Sequence, residues 1–120
     1  MRPADLETVR KVVYSTCKSG TAISEEISPR KAHLIHMAMG ISGEAGELLD
    51  CIKKYVIYNK PLDVNNLIEE IGDIFYFLVG LMEWEGIDPE VVISALEHKL
   101  YTRYTSGYSD EAAQNRADKQ

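Results

Sequence analysis

Apolar residues recur every three to four positions through most of this chain, which is the period of an α-helix with one face turned to a core. No segment shows the convincing two-residue alternation of a half-buried strand. The pattern predicts four helices, from Pro3 to about Cys17, from Pro29 to about Tyr58, from a cap at Asp63 or Asn65 to Gly86, and from Pro89 to about Tyr104. We therefore predict an all-α fold, a four-helix bundle with short connections.

Capping signals set the limits of these helices. Ser28-Pro29 and Asp88-Pro89 each place a capping side chain before a proline at the first helical position. The sequence Lys18-Ser19-Gly20-Thr21 is expected to break the first helix, with residues 21–28 forming a loop. Ser109-Asp110-Glu111 is expected to cap one last short turn before a polar tail.

Two pairs of acidic residues lie within the predicted second and third helices. Glu44 and Glu47 form one pair, and Glu70 and Asp73 form the other. A three-residue spacing places both carboxylates of a pair on one helix face, here bordered by apolar residues. Buried carboxylates cost several kcal/mol unless they are compensated, and oxygen ligands suit a hard cation such as Mg²⁺ or Mn²⁺. Two facing pairs therefore favour a metal site, although either pair alone would favour a solvated face with local Lys partners.

Other polar and aromatic residues share these helix faces. In helical projection, Lys54 and His36 lie about 20° from Glu47, and His33 lies about 40° from it. Phe77 and Trp84 extend the face of the second acidic pair. A metal site, a cation and an aromatic surface would together suit a polyphosphate attached to a base. The alternatives are that both histidines are packing or surface residues and that Trp84 belongs to a core or an interface.

Composition narrows the class of protein. The chain has 120 residues and a net charge of −6, and its Lys and Arg residues are scattered, so nucleic acid is not an expected partner. The N-terminus lacks the apolar segment of a signal peptide, and no apolar run is long enough to span a membrane. Cys17 and Cys51 match no zinc spacing and are expected to be reduced and buried. We expect a cytoplasmic protein.

The acidic pairs lie in motifs that resemble those of a known family. Residues 39–48, MGISGEAGEL, resemble the first half of the signature of MazG-like nucleotide pyrophosphohydrolases, and residues 69–74, EEIGDI, resemble the second half. Lys99-Leu100 with Arg103-Tyr104 is similar to the K-L-x-x-R-Y motif of the family's fourth helix. Residues 107–109 and 115–118 are similar to the C-terminal motifs of a subgroup common in bacteria and their phages.

The resemblance implies a fold, an activity and a set of site residues. The fold would be a single MazG-like domain over residues 1–120, with its motifs in residues 29–104 and a tail in residues 105–120. The activity would be hydrolysis of a nucleoside triphosphate, expected to be a deoxynucleotide, to the monophosphate and pyrophosphate. The metal ligands and catalytic residues would be Glu44, Glu47, Glu70 and Asp73, with Mg²⁺ as the cofactor and Mn²⁺ as a substitute. The expected substrate-binding residues are Lys54, Lys99, Arg103 and Tyr104. The family assembles as dimers or tetramers, so a homodimer or homotetramer is expected.

Two other classes of protein stay open. One is a helical module that kept the fold and binds nucleotide or metal without catalysis. Leu96 favours this class, because many relatives carry Asn at that position of the fourth helix. The other is a di-iron carboxylate bundle, which is weaker because such sites use Glu-x-x-His pairs and neither acidic pair here contains His. No segment indicates which base is preferred.

Overall fold

The computed structural model describes residues 5–120, and in this range it is built from helices without a β-strand. The helices are α1 (Leu6–Thr16), α2 (Gly20–Glu26), α3 (Pro29–Val56), α4 (Val64–Glu85), α5 (Pro89–Arg103) and α6 (Asp110–Asn115), followed by a 3₁₀ turn, Ala117–Lys119. The all-α class and the four long helices are confirmed. Within the described range, no helix is both long and apolar enough to cross a bilayer.

The chain forms two compact units, one ending at Ala32 and the other extending from His33 to Gln120. In the first unit, the side chain of Asp5 caps α1, while the predicted start at Pro3 lies outside the described residues. The predicted loop over residues 21–28 is wrong, because Ser19 caps a second helix there by accepting a hydrogen bond from the backbone N–H of Ala22. An ion pair between Lys18 and Glu26 brackets that helix.

The predicted capping signals act at the longer helices. The Ser28 hydroxyl accepts a hydrogen bond from the backbone N–H of Lys31 at 3.2 Å, at the start of α3. Asp63, and not Asn65, caps α4, and Gly86 ends α4 in the left-handed conformation with φ of +66°. Asp88 caps α5 ahead of Pro89. These caps pair backbone groups that helix ends would otherwise leave without partners.

Helices α3 and α4 pack against each other in an antiparallel arrangement. A Cβ atom built on Gly40 would lie within 2.5 Å of three ring carbons of Phe77, and one built on Gly80 would lie 2.6 Å from Sδ of Met37. One turn before Met37 on α3, Nε2 of His33 donates a hydrogen bond to the backbone carbonyl of Gly80 at 3.2 Å. The contacts thus move toward the C-terminal end of α4 as they move toward the N-terminal end of α3. We call this line of contacts the α3–α4 seam.

Few side chains are buried in the single chain. Met37 and Cys51, at 5% and 4% exposure, are the buried apolar residues of the described range. Cys51 is buried as predicted, whereas Cys17 is exposed, so that prediction was wrong. Large apolar side chains on α4 and α5 remain exposed, among them Ile68, Phe75, Tyr76, Val91, Ile93 and Leu96. An exposed apolar surface of this kind is typical of a site that contacts another molecule.

Candidate metal centre

The seam brings the two acidic pairs together. Glu44 lies one turn beyond Gly40 on α3, and Asp73 lies one turn before Phe77 on α4, so the antiparallel packing places these two residues opposite each other. Carboxylate oxygens of Glu44, Glu70 and Asp73 lie within 4.8 Å of one another, and all three residues are half-buried. We call these three residues the acidic group. The sequence predicted this convergence from spacing alone, and the two close glycine contacts explain how the helices approach.

Glu70 is the most perturbed member of the acidic group. Its Oε2 atom is enclosed and has no hydrogen-bond partner among the described residues. A side-chain hydrogen bond with Glu44, together with desolvation and the negative charges of Glu44, Asp73 and Glu47, raises the pKa of Glu70 to about 7. Near neutral pH, the folded chain therefore resists holding all of these carboxylates in the ionised form.

The donor set fits a hard divalent cation. Carboxylate oxygens from two helices converge, and one enclosed oxygen has no donor from the protein. The alternative of solvated acids with local Lys partners is not what residues 5–120 show, because no ion pair described there involves Glu44, Glu70 or Asp73. A cation placed among these oxygens would lower the mutual repulsion that raises the pKa of Glu70.

Glu47, the fourth predicted ligand, is placed differently. Its side chain is exposed and lies outside the acidic group. It is close enough to Glu70 for its negative charge to raise the pKa of that residue. Its position three residues after Glu44 keeps it beside the group, so its role as a ligand stays a prediction.

Two of the predicted phosphate contacts, Lys54 and Arg103, have acidic partners within the chain. Nζ of Lys54 lies 3.1 Å from the Asp50 carboxylate one turn earlier, and this pairing raises the pKa of Lys54. The negative charge of Glu47 also raises it, which places Lys54 near the acidic side of α3. Sequence reasoning missed Asp50, although its four-residue spacing from Lys54 is a recognisable signal. Lys99 is half-buried on α5.

Arg103 forms an ion pair that sequence reasoning did not find. Its Nε donates to Oδ1 of Asp118 at 2.9 Å, and the two side chains are only 15% and 6% exposed. The chain reverses at Arg116, which has a left-handed φ of +49°, and so returns Asp118 to the end of α5. Nothing in the local sequence indicates this reversal. The ring of the neighbouring Tyr104 lies 5.7 Å from that of Tyr108.

Aromatic residues line the other end of the α3–α4 seam. The rings of His33 and Trp84 stack with centroids 4.2 Å apart, while those of His36 and Phe77 meet edge to face at 6.2 Å. The interpretation of His33 as a packing residue agrees with these contacts. Trp84 is 70% exposed, so in the single chain it is not a core residue.

Comparisons with known proteins bear on the same residues. Searches of curated proteins and of solved structures each found no match. The family model of the MazG nucleotide pyrophosphohydrolase domain matches residues 33–107, which include the acidic group and cover well over half of the chain. The match and the helical architecture agree, and the chain belongs to the MazG nucleotide pyrophosphohydrolase family.

Proposed function

We propose that this protein hydrolyses a nucleoside triphosphate, expected to be a deoxynucleotide, to the monophosphate and pyrophosphate with the help of Mg²⁺. The observation that carries the proposal is the convergence of Glu44, Glu70 and Asp73 within 4.8 Å, with one enclosed oxygen lacking a donor. Family membership supports the class of reaction.

The acidic group would hold the cation, with Glu47 beside it as a fourth carboxylate. A bound divalent cation neutralises phosphate oxygens and lowers the pKa of a bound water. Glu70 must lose its proton to act as a ligand, and its raised pKa makes that loss sensitive to pH near neutrality. We expect Lys54, Lys99 and Arg103 to supply positive charge to the departing pyrophosphate. Tyr104 interacts with Arg103 at the end of α5. Asp50 and Asp118 hold two of these cations in place.

Product analysis tests the proposal directly. The purified protein is incubated with each common nucleoside triphosphate and Mg²⁺, and the products are separated by ion-exchange chromatography. We expect monophosphate and pyrophosphate as the first products, with ¹⁸O from labelled water in the monophosphate. Diphosphate and orthophosphate as the first products would refute the assignment. Metal binding without turnover of any nucleotide would favour the non-catalytic module that Leu96 suggests.

We also propose that the protein acts as a homodimer or homotetramer. Among residues 5–120, only two apolar side chains are buried, which is few because a domain of this size normally buries most of the surface that its unfolded chain exposes. The exposed apolar residues of α5, among them Val91, Ile93 and Leu96, supply a surface for a second copy. Sedimentation equilibrium checks this proposal, and a stable monomer at micromolar concentration would contradict it.

A further inference from the structure

A groove lies along the α3–α4 seam, and the proposed chemistry does not use it. The groove has a volume of about 610 Å³, within the usual range of small-molecule pockets. Its lining is mostly apolar and aromatic, and the lining residues that carry polar side-chain groups are His33, His36, Tyr76, Glu83 and Trp84. Such a surface favours a flat aromatic ligand with a polar edge.

The floor of the groove is a preorganised aromatic surface. The His33 ring stacks on the Trp84 ring at 4.2 Å with an interplanar angle of 27°. The hydrogen bond from Nε2 of His33 to the Gly80 carbonyl fixes the imidazole in one tautomer and one orientation. A ligand that stacks there does not have to order these rings, which lowers the entropic penalty of binding.

The position of the groove relates it to the acidic group. Tyr76 lines the groove and lies one helical turn after Asp73. Gly80 lies two turns after Asp73, about 10 Å along the helix axis. This distance is comparable to that between the 5′-phosphate and the base of an extended nucleotide. On α3, Lys54 lies C-terminal to Glu44, whereas the α3 residues that line the groove lie N-terminal to it. Along α3, the residues that contact the groove, the acidic Glu44 and the cationic Lys54 therefore follow one another in this order.

We propose that this groove binds the nucleobase of the substrate, stacked on the surface formed by His33 and Trp84. The proposal rests on the proposed function, because it assumes that the 5′-phosphates lie at the acidic group. It fixes the direction of the substrate, with the base toward Trp84 and the terminal phosphates toward Lys54. Glu83 lines the groove, and its carboxylate is an acceptor for N–H groups of the base.

Trp84 is the only tryptophan of the chain, so its fluorescence reports on the groove. The protein is titrated with α,β-imido nucleoside triphosphates and Mg²⁺, and in parallel with inorganic tripolyphosphate and Mg²⁺. We expect the nucleotide analogue to quench Trp84 emission and tripolyphosphate to bind without quenching it. An analogue that binds, as shown by calorimetry, without changing Trp84 emission would overturn the proposal.

Variants separate the base from the phosphates. Trp84→Leu should raise KM for the triphosphate roughly 5- to 150-fold, the range for losing one base–aromatic stack. The inhibition constant of tripolyphosphate should stay the same, because that ligand has no base. Tyr101→Ala removes an exposed aromatic side chain of α5 and is the matched control, with KM unchanged.

The possible failures can be told apart. Quenching by the analogue without hydrolysis of any nucleotide would leave the groove assignment standing and sink the proposed function. Hydrolysis with an unchanged KM in Trp84→Leu would sink the groove assignment alone. If Trp84→Leu also dissociates the oligomer, the groove would be a contact between copies of the chain, which equally refutes binding of the base.

Discussion

Replacing Gly40 by Ala should separate α3 from α4 and thereby destabilise the protein. The added Cβ would lie within 2.5 Å of three ring carbons of Phe77, so the ring or the helix has to move. Overpacking of this kind costs about 1–3 kcal/mol. Ala is better than Gly inside a helix by about 1 kcal/mol, which offsets part of the loss. The net free energy of unfolding should therefore fall by up to about 2 kcal/mol.

Gly43→Ala is the matched control for this substitution. Gly43 lies three residues further along α3, and a Cβ built there meets nothing within 4 Å. That variant should gain the helix propensity alone, about 1 kcal/mol. The difference between the two variants isolates the overlap with Phe77, at about 1–3 kcal/mol. Urea unfolding at one protomer concentration measures both, because oligomer stability depends on concentration.

A double-mutant cycle then identifies the partner. Phe77→Ala should remove most of the penalty of Gly40→Ala, because it removes the ring that the new Cβ would touch. Gly40→Ala should also weaken Mg²⁺ binding, since the acidic group lies one turn from the overlap. If Gly40→Ala is as stable as Gly43→Ala, the close approach of the two helices at Gly40 is refuted.

Three further predictions have defined outcomes. Because its pKa is raised from 4.5 to about 7, Glu70 stabilises the metal-free fold fully below its unfolded pKa, and this contribution disappears as pH rises through 7. Glu70→Gln should therefore flatten the pH dependence of unfolding in EDTA, and an unchanged profile would contradict this cause. Asp118→Asn should lower the melting temperature more than Asp50→Asn, because the Asp118 pair is enclosed and the Asp50 pair is half exposed. Mg²⁺ at about 100 times Kd should stabilise the fold by about 2.7 kcal/mol, and Asp73→Asn should lose this gain in thermal unfolding.

Helix limits were predictable where a cap and a stop signal stand next to a long periodic segment. Ser28 with Pro29 and Asp88 with Pro89 are such signals, and α3 and α5 begin where they indicate. The short helix α2 escaped prediction because two turns give too few apolar positions to establish a period. Ser19 is a residue type that caps helices, but the sequence Lys18-Ser19-Gly20-Thr21 also indicates the end of a helix.

The acidic group was predictable because its members repeat a helical spacing on two neighbouring helices. The exclusion of Glu47 from the closest group depends on side-chain burial, which spacing alone does not give. The enclosed pair of Arg103 and Asp118 depends on a backbone reversal at Arg116, a residue type without a preference for positive φ. The exposure of Cys17, which follows α1, likewise depends on tertiary packing, which the local sequence does not give.

Calorimetric titration with Mn²⁺ tests the central claim, that Glu44, Glu70 and Asp73 hold a divalent cation. With the pKa of Glu70 near 7, binding at pH 7 should release about half a proton per site, and at pH 9 almost none. Titrations in two buffers of different ionisation enthalpy measure this number, and Asp73→Asn should abolish binding. Mn²⁺ binding that releases no proton at pH 7, or that persists unchanged in Asp73→Asn, would contradict the account.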